Sequence, residues 1–144
     1  MTFNSEGVRL IMEKTLVLVK PDAMERGICK DILDMYTSME GVTMIDQKEL
    51  QATEEMAKAH YAEHCERPFF KELISFITRS PIHALVLEGE DVIKRVRDLN
   101  GATDPKEAKE GTIRAKFADS KNENCVHASD SVESAEREMN IWFR

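Results

Sequence analysis

Residues 14–20 have the sequence KTLVLVK, a short apolar run with β-branched side chains that is stopped by Pro21. A run of this composition and length is typical of a buried strand. Residues 82–88, IHALVLE, form a second run of the same kind, and VTMIDQKEL (42–50) is a plausible further strand. The sequence therefore predicts several strands, separated by stretches with a different periodicity.

The stretches between these strands have the apolar spacing of helices. From residue 28 to residue 39, apolar side chains recur at helical spacing, and Gly41 supplies the stop. Thr53 is followed by two glutamates, which predicts an N-cap with acidic residues in the first turn. We expect the helix that starts there to reach about His64.

Two more helices and one short strand are predicted further along the chain. The helices cover residues 70–77 and 92–99, where apolar side chains again recur every three to four positions. NCVH (124–127) is predicted as a short last strand. Asp130 and Glu133 then predict the capping-box start of a C-terminal helix.

The alternation of elements predicts the architecture. Residues 102–124 are polar with little periodicity, and loops of that length inside a compact domain are often functional. Strands and helices otherwise alternate without repeats, which favours a single α/β sandwich domain over residues 12–144, with helices covering a small sheet. Residues 1–11 are predicted to be an N-terminal extension outside the fold. The alternation leaves antiparallel and mixed strand pairing open.

Composition indicates a soluble globular protein and disfavours several classes of function. The chain has 144 residues, of which 42% are hydrophobic and 33% charged. No segment approaches the roughly 20 apolar residues that span a bilayer, so no membrane association is expected. A formal net charge of −7 without a basic stripe disfavours nucleic-acid binding. The three widely spaced cysteines fit no disulfide framework and predict a reducing, cytoplasmic setting.

Candidates for binding an anion lie at the ends of predicted elements. Lys20 ends the first strand, Arg97 lies in the last turn of a helix, and Arg114 lies in the long loop. Taken singly, each is an ordinary surface charge by default. The sequence has neither the glycine-rich phosphate-binding motifs nor the protein-kinase catalytic motifs. Any phosphoryl transfer by this protein must therefore use another design.

His127 is a candidate nucleophile or base, because an imidazole titrates near neutral pH. Beside Cys125 and Val126, a histidine is more often a packed residue than a reactive one. Two nearby hydroxyls, on Ser129 and Ser131, and several carboxylates could orient one ring nitrogen. A Ser-His-Asp hydrolase could use the same residues, but the sequence lacks the G-x-S-x-G elbow.

Two other patterns leave alternatives open. His60 and His64 share a helix face and, with Cys65, offer a metal site, although H-Y-A-E-H has no carboxylate at the position that H-E-x-x-H requires. Phe69 and Phe70 are core residues by default, but one of the rings could stack on a flat base.

Five motifs occur in order along the chain: VKPDAMERG (19–27), HYAEHCERPFF (60–70), SPIHALVLEG (80–89), GATDPKEAKEGTIR (101–114) and NCVHASDSVESAERE (124–138). Through them, the chain from about Glu13 to Arg144 resembles the nucleoside diphosphate kinase family. The pattern N-x-x-H-x-S-D-S followed by V-E-S-A is highly specific. Chance is a poor explanation for five such motifs in the same order.

The resemblance implies a ferredoxin-like α+β fold, with a four-stranded antiparallel sheet and helices on one side. It implies a ping-pong transfer of the γ-phosphoryl group from a nucleoside triphosphate, mainly ATP, to His127 and then to a nucleoside diphosphate. Mg²⁺ is expected on the nucleotide phosphates, with few or no protein ligands. A homo-oligomer, either a tetramer or a hexamer, is also implied. The alternative is an oligomeric nucleotide-binding scaffold or regulatory protein with the same pocket.

The resemblance also assigns roles to single residues. Ser129 and Glu138 fall where the family orients the nucleophilic imidazole, and Phe69 falls where the base stacks. The positions that contact phosphates, sugar or the reacting centre are Lys20, Tyr61, Arg97, Thr103, Arg114 and Asn124. Arg67 adds positive charge at the mouth of the pocket. Ala128, Glu110 and Lys116 depart from the usual family pattern, but none of these departures removes a residue that carries the chemistry.

Overall fold

The structure, a computed structural model, describes residues 2–3, 9–10 and 12–143. Two short strands, β1 (Thr2–Phe3) and β2 (Arg9–Leu10), pair with each other in an antiparallel sheet of their own. The prediction that residues 1–11 are an extension outside the fold falls mainly on positions 1, 4–8 and 11, which lie outside the described residues. It stays a prediction.

Four strands form the main sheet, and all their pairings are antiparallel. They are β3 (Met12–Val19), β4 (Thr43–Leu50), β5 (Ile82–Glu90) and β6 (Val126–Ala128). Their order across the sheet is β4-β5-β3-β6, which is the second, third, first and fourth strand along the chain. This is the order of a ferredoxin-like fold, so the fold class implied by the resemblance is confirmed.

Seven α-helices surround this sheet within the described residues: α1 (Pro21–Glu25), α2 (Cys29–Thr37), α3 (Glu54–His60), α4 (Phe70–Ile77), α5 (Val92–Asn100), α6 (Ile113–Phe117) and α7 (Val132–Trp142). A single turn of 3₁₀-helix, Ala62–His64, continues from α3, so the helical segment reaches His64 as predicted. None of the described helices combines the length and the apolar character needed to cross a membrane.

Helices cover both faces of the sheet, which differs from the expected one-sided arrangement. Val17 of β3 and Leu87 of β5 belong to a buried cluster that includes side chains of α2, α5 and α6. Leu16 and Leu18, on the opposite face of β3, pack with side chains of α3, α4 and α7. Because successive side chains of a strand point to opposite faces, both sets must be apolar. This explains the uninterrupted apolar runs of β3 and β5.

Three local predictions need correction. Pro21, predicted only as the stop of the first strand, also begins α1, at a position where the missing N–H of proline costs nothing. The long polar loop contains α6, whose N-cap Thr112 accepts a hydrogen bond from the Ala115 N–H. The cap of α7 is Ser131, whose hydroxyl accepts from the Ser134 N–H at 3.1 Å, and Asp130 stands one position before it.

A further difference concerns the end of α2. The helix ends at Thr37, and Gly41, predicted as its stop, lies in the turn before β4.

Gly101 fixes the path of the chain from α5 into the long loop. Its φ is +85°, and a Cβ atom built on it would stand 2.6 Å from Thr112 Oγ1. The Gly101 carbonyl also accepts a hydrogen bond from Arg114 Nη1 at 2.8 Å. Glycine at this position therefore allows the loop to pack closely against the start of α6.

We expect Gly101→Ala to destabilise the fold by roughly 1–3 kcal/mol, because it combines a strained φ with a steric clash. Chemical denaturation measures the loss. Gly111→Ala is the matched control, since Gly111 has a φ of +92° but open space around its Cβ position. Equal losses in the two variants would show that the contact with Thr112 contributes nothing.

Candidate active site

A cleft of about 1080 Å³ opens beside β6, between α3, α5, α6 and α7. Eight of the ten site residues assigned from the sequence line it: Lys20, Tyr61, Arg97, Thr103, Arg114, Asn124, His127 and Glu138. They come from positions 20 to 138 of the chain, so the fold gathers them. The two that do not line the cleft are Ser129 and Phe69.

The His127 imidazole has its two nitrogens in different environments. The residue lies in β6, opposite Leu18 of β3, and its side chain is 24% exposed. Nε2 is 2.7 Å from Glu138 Oε1, a short hydrogen bond. Nδ1 makes no hydrogen bond to any residue from 12 to 143, and it is therefore the nitrogen available to a ligand.

Glu138 is a buried carboxylate that holds two groups at once. Its side chain is 5% exposed, and Oε1 accepts from both His127 Nε2 and Ser129 Oγ, the latter at 2.9 Å. Ser129 is fully buried, and its backbone N–H donates to Leu16 O of β3 at 3.0 Å. Ser129 thus acts on the imidazole through Glu138, which explains why it lies behind the cleft wall.

His60 joins the site, although its sequence pattern suggested only a metal ligand. Its ring centroid lies 4.5 Å from that of His127, in an edge-to-face arrangement. Trp142 Nε1, which can only donate, lies 3.1 Å from His60 Nδ1. Burial, and then the proximity of His127, hold the pKa of His60 well below its usual range. His60 is therefore neutral, with its proton on Nε2.

Lys20 stands at the end of β3 with its ammonium facing the cleft. Its Nζ donates to Asn124 Oδ1 at 3.1 Å. Burial, followed by repulsion from Arg114, lowers the pKa of Lys20 to about 8. An anion placed beside this buried ammonium would stabilise its charged form.

Arg114 is fixed by backbone carbonyls. Its guanidinium donates to Asn124 O, Gly101 O and Val126 O at 3.3, 2.8 and 2.7 Å. All three acceptors are neutral carbonyl oxygens, so none of them neutralises the positive charge of the guanidinium. Arg97, exposed in the last turn of α5, adds a second guanidinium, and its charge contributes to a lowered pKa of Arg114 after the larger effect of burial.

Tyr61 and Asn124 complete the inner wall. Burial, and then the charge of Glu138, raise the pKa of Tyr61 to about 12, so its hydroxyl stays protonated and can donate. The Asn124 amide donates to Lys121 O at 3.0 Å and to Thr103 O at 3.4 Å. These bonds hold the loop that carries Thr103 against the segment before β6.

Phe69 lies outside the cleft wall. Its side chain is 43% exposed, and its ring centroid is 5.8 Å from that of His64, which does line the cleft. The ring therefore stands next to the opening. Arg67 is exposed in the same segment and does not line the cleft either.

One set of side chains within residues 12–143 has converging metal-ligand atoms, namely His60, His127 and Glu138, all within 4.8 Å of one another. Two of these atoms already share a hydrogen bond, and one nitrogen of His60 accepts from Trp142. The set is therefore better suited to orienting His127 than to holding an ion. His64 and Cys65, proposed as further ligands from the sequence, join no such set in this part of the chain.

An accessible imidazole nitrogen, oriented by a buried carboxylate and facing several cations, defines a class of site. Such a site suits an enzyme in which a histidine attacks an anionic group, and phosphoryl transfer is the reaction that most depends on surrounding cations.

Comparison with known proteins agrees with this class. The family model "Nucleoside diphosphate kinase" matches residues 13–144. A "Nucleoside diphosphate kinase" of Clostridium perfringens is 52% identical over 132 residues, 92% of each chain. One of Exiguobacterium sibiricum is 50% identical over 133 residues, 92% of this chain and 96% of the other.

Solved structures give the same result. The nucleoside diphosphate kinase of Aquifex aeolicus superposes with a TM-score of 0.88 at 47% identity, covering 93% of this chain and 96% of the other. That of Encephalitozoon cuniculi superposes with a TM-score of 0.87 at 32% identity, covering 91% and 88%. The chain belongs to the nucleoside diphosphate kinase family, a family of phosphotransferases, and the resemblance seen in its sequence is confirmed.

We expect Glu138→Ala to lower kcat by about 10²-fold while changing KM little, because it removes the group that orients His127 without removing a phosphate contact. Steady-state kinetics separate the two constants. Glu136→Ala, an exposed position on the same helix, is the control and should retain activity. A variant with a raised KM and an unchanged kcat would contradict this role of Glu138.

Proposed function

We propose that the protein transfers the γ-phosphoryl group of a nucleoside triphosphate, mainly ATP, to a nucleoside diphosphate by way of a phosphohistidine on His127. In the first half-reaction, Nδ1 attacks the γ-phosphorus. An N–P bond forms, the bond to the bridging oxygen breaks, and a nucleoside diphosphate leaves. In the second, a β-phosphate oxygen of another diphosphate attacks the phosphorus and the N–P bond breaks. Both nucleotides use one pocket. The second transfer removes the phosphoryl group from His127, so the enzyme returns to its starting state.

The observation that carries this proposal is that one nitrogen of His127 is hydrogen-bonded to Glu138 and the other is left accessible. Nε2 bonds to Glu138 at 2.7 Å, which requires the proton on Nε2 and leaves the lone pair on Nδ1. As Nδ1 bonds to phosphorus, positive charge develops on the ring, and the buried carboxylate of Glu138 stabilises it. The same hydrogen bond thus orients the imidazole and stabilises the positive charge that develops on it.

The cleft cations support a phosphate ligand. Lys20, Arg97 and Arg114 line the same cleft as His127, together with Tyr61, Thr103 and Asn124. A transferring phosphoryl group needs positioning and charge neutralisation more than covalent assistance. The scaffold alternative is not favoured, because such a protein has no use for an oriented nucleophile.

The nucleotide brings Mg²⁺ as part of the substrate. The ion neutralises phosphate charge and orients the γ-phosphoryl group when bound. The carboxylates lining the cleft, Glu63, Glu107 and Asp130 among them, do not converge on one point within residues 12–143. That arrangement fits an ion carried by phosphates rather than by a protein cage. Phe69, exposed beside the opening, is the proposed platform for the base, and stacking there accepts any base.

The remaining proposals concern assembly and location. A homo-oligomer, tetramer or hexamer, is supported by β4, an edge strand with mostly exposed side chains that include Ile45 at 43%. An exposed edge strand offers unpaired backbone groups to a second copy. A cytoplasmic location is supported by three cysteines that are all free thiols.

Labelling with γ-³²P-ATP and Mg²⁺ tests the central step. We expect a protein-bound label that is acid-labile and alkali-stable, and that passes to added GDP. His127→Ala should abolish it, whereas His83→Ala, on β5 and outside the cleft, should retain it. A wild-type protein that never takes up label would disprove the proposal.

The pH dependence of kcat/KM should report Lys20. Its pKa of about 8 means that the charged form, which binds phosphate, predominates below that pH and is lost above it. We therefore expect kcat/KM to fall above about pH 8, approaching tenfold per unit. Lys20→Arg should move this alkaline limb upwards or remove it, because a guanidinium stays protonated. A limb that is identical in wild type and Lys20→Arg would assign it to another group.

A further inference from the structure

Asp22 is a buried acidic residue that takes no part in the proposed transfer steps. It lies in α1, two positions after Lys20, and is 3% exposed. Its Oδ2 accepts a hydrogen bond from the Cys125 N–H at 3.0 Å, while Oδ1 makes none within residues 12–143. Burying a carboxylate without a full set of hydrogen-bond partners costs folding free energy. A functional role is one explanation for why such a residue is present.

Its hydrogen-bond partner is in an unusual backbone conformation. Cys125 has a φ of +73°, in the left-handed region that residues other than glycine rarely adopt. The Cys125 carbonyl is held as well, because it accepts from the Lys20 N–H at 2.8 Å. The N–H and the C=O of Cys125 are therefore both hydrogen-bonded to residues 20–22, which lie about a hundred positions earlier in the chain.

This strained residue stands between two functional ones. Asn124, immediately before it, binds the Lys20 ammonium, and His127 follows two positions later on β6. A change in the backbone at Cys125 would redirect both side chains. The Asp22 hydrogen bond thus stabilises the turn that sets where the nucleophile points.

Asp22 also acts on Lys20 through space. The groups that face the Lys20 ammonium are Arg114 from α6, Asp22 from α1, and Asn124 and Cys125 from the segment before β6, with His60 of α3 close by. Arg114 disfavours the charged ammonium, and Asp22 is the leading group that favours it. Burial raises the pKa of Asp22, and the Cys125 N–H and then the charge of Lys20 oppose that effect by favouring the ionised carboxylate.

We infer that Asp22 is a positioning residue for phosphoryl transfer: its carboxylate holds the left-handed turn at Cys125 that aims His127, and its negative charge stabilises the Lys20 ammonium. This inference rests on the proposed function. It assigns Asp22 two separable tasks, a hydrogen bond that a neutral acceptor can also make and a charge that it cannot.

Asp22→Asn and Asp22→Ala separate these tasks. The carboxamide oxygen of asparagine can accept from the Cys125 N–H, so at pH 6.5 we expect kcat within about threefold of wild type. Loss of the charge should move the alkaline limb of kcat/KM to lower pH by at least half a unit. Alanine removes both interactions, so kcat should fall about tenfold or more at every pH, with the same shift of the limb.

Asp31→Asn is the matched control, because it removes the same charge from an exposed position on α2. Its pH profile should coincide with that of wild type. If Asp22→Asn also coincides with wild type, the electrostatic task is disproved. If Asp22→Ala retains wild-type kcat, the positioning task is disproved.

A second substitution tests the turn itself. Glycine adopts a positive φ without strain, so Cys125→Gly in the Asp22→Ala background should restore part of kcat. It should leave the alkaline limb shifted, because no charge is returned. A double variant with no more activity than Asp22→Ala would show that the φ of Cys125 is not what Asp22 maintains.

Wild-type protein provides a measurement that does not depend on the variants folding. The ¹³C shift of the Asp22 carboxyl, followed by NMR from pH 5 to pH 9, should show an ionised group throughout the range of activity. A carboxyl that is still protonated at pH 7 would overturn the electrostatic part. Wild-type labelling on His127 tests the proposed function separately, so its failure and the failure of this inference give different results.

Discussion

The hydrogen bond between His127 Nε2 and Glu138 Oε1 is the contact on which the proposed chemistry depends. It decides which ring nitrogen carries the proton, and therefore which nitrogen can attack. Its geometry is set by the pairing of β6 with β3 and by the start of α7 at the Ser131 cap. The fully buried Trp142 anchors the other end of that helix in the core and reaches His60. One helix thus links the packing of the sheet to the orientation of the His127 imidazole.

The electrostatics of the cleft oppose those of the whole molecule. The formal net charge is −7, yet Lys20, Arg97 and Arg114 line one cleft together with His127. Salt screens charges that lie more than about 10 Å apart, so a bound phosphate senses mainly the nearby cations. Arg114 is held by carbonyl oxygens and Lys20 by an amide, so neither charge is neutralised by a hydrogen-bonded acid. Fixing these two cations through neutral acceptors leaves their charges available to an anion in the cleft.

Local patterns predicted most elements because their periods extend over several residues. The long apolar runs of β3 and β5 and the spacing in α5 and α7 appear in the structure near their predicted bounds. The helices α1 and α6 were missed, since five residues are too few to display an amphipathic repeat. Asp130 and Ser131 are both good capping residues, and only the backbone conformation selects Ser131. An apolar run buried on both faces likewise cannot tell how many helical layers cover it.

By itself, the amino-acid sequence identified the family, the four strands of the main sheet and five of the seven described helices, and it predicted the nucleophile and most of the residues around it. Those properties depend on residue types at short spacings and on motifs that follow one another in a fixed order along the chain. Only the tertiary structure decided that Nδ1 is the accessible nitrogen, that His60 stands against His127, that Phe69 lies outside the cleft wall, and that Asp22 holds Cys125. The physical reason is that hydrogen bonds and charges act over ångströms in space. Trp142 and His60 are 82 positions apart and Cys125 and Asp22 are 103 apart, and no local pattern reports such contacts.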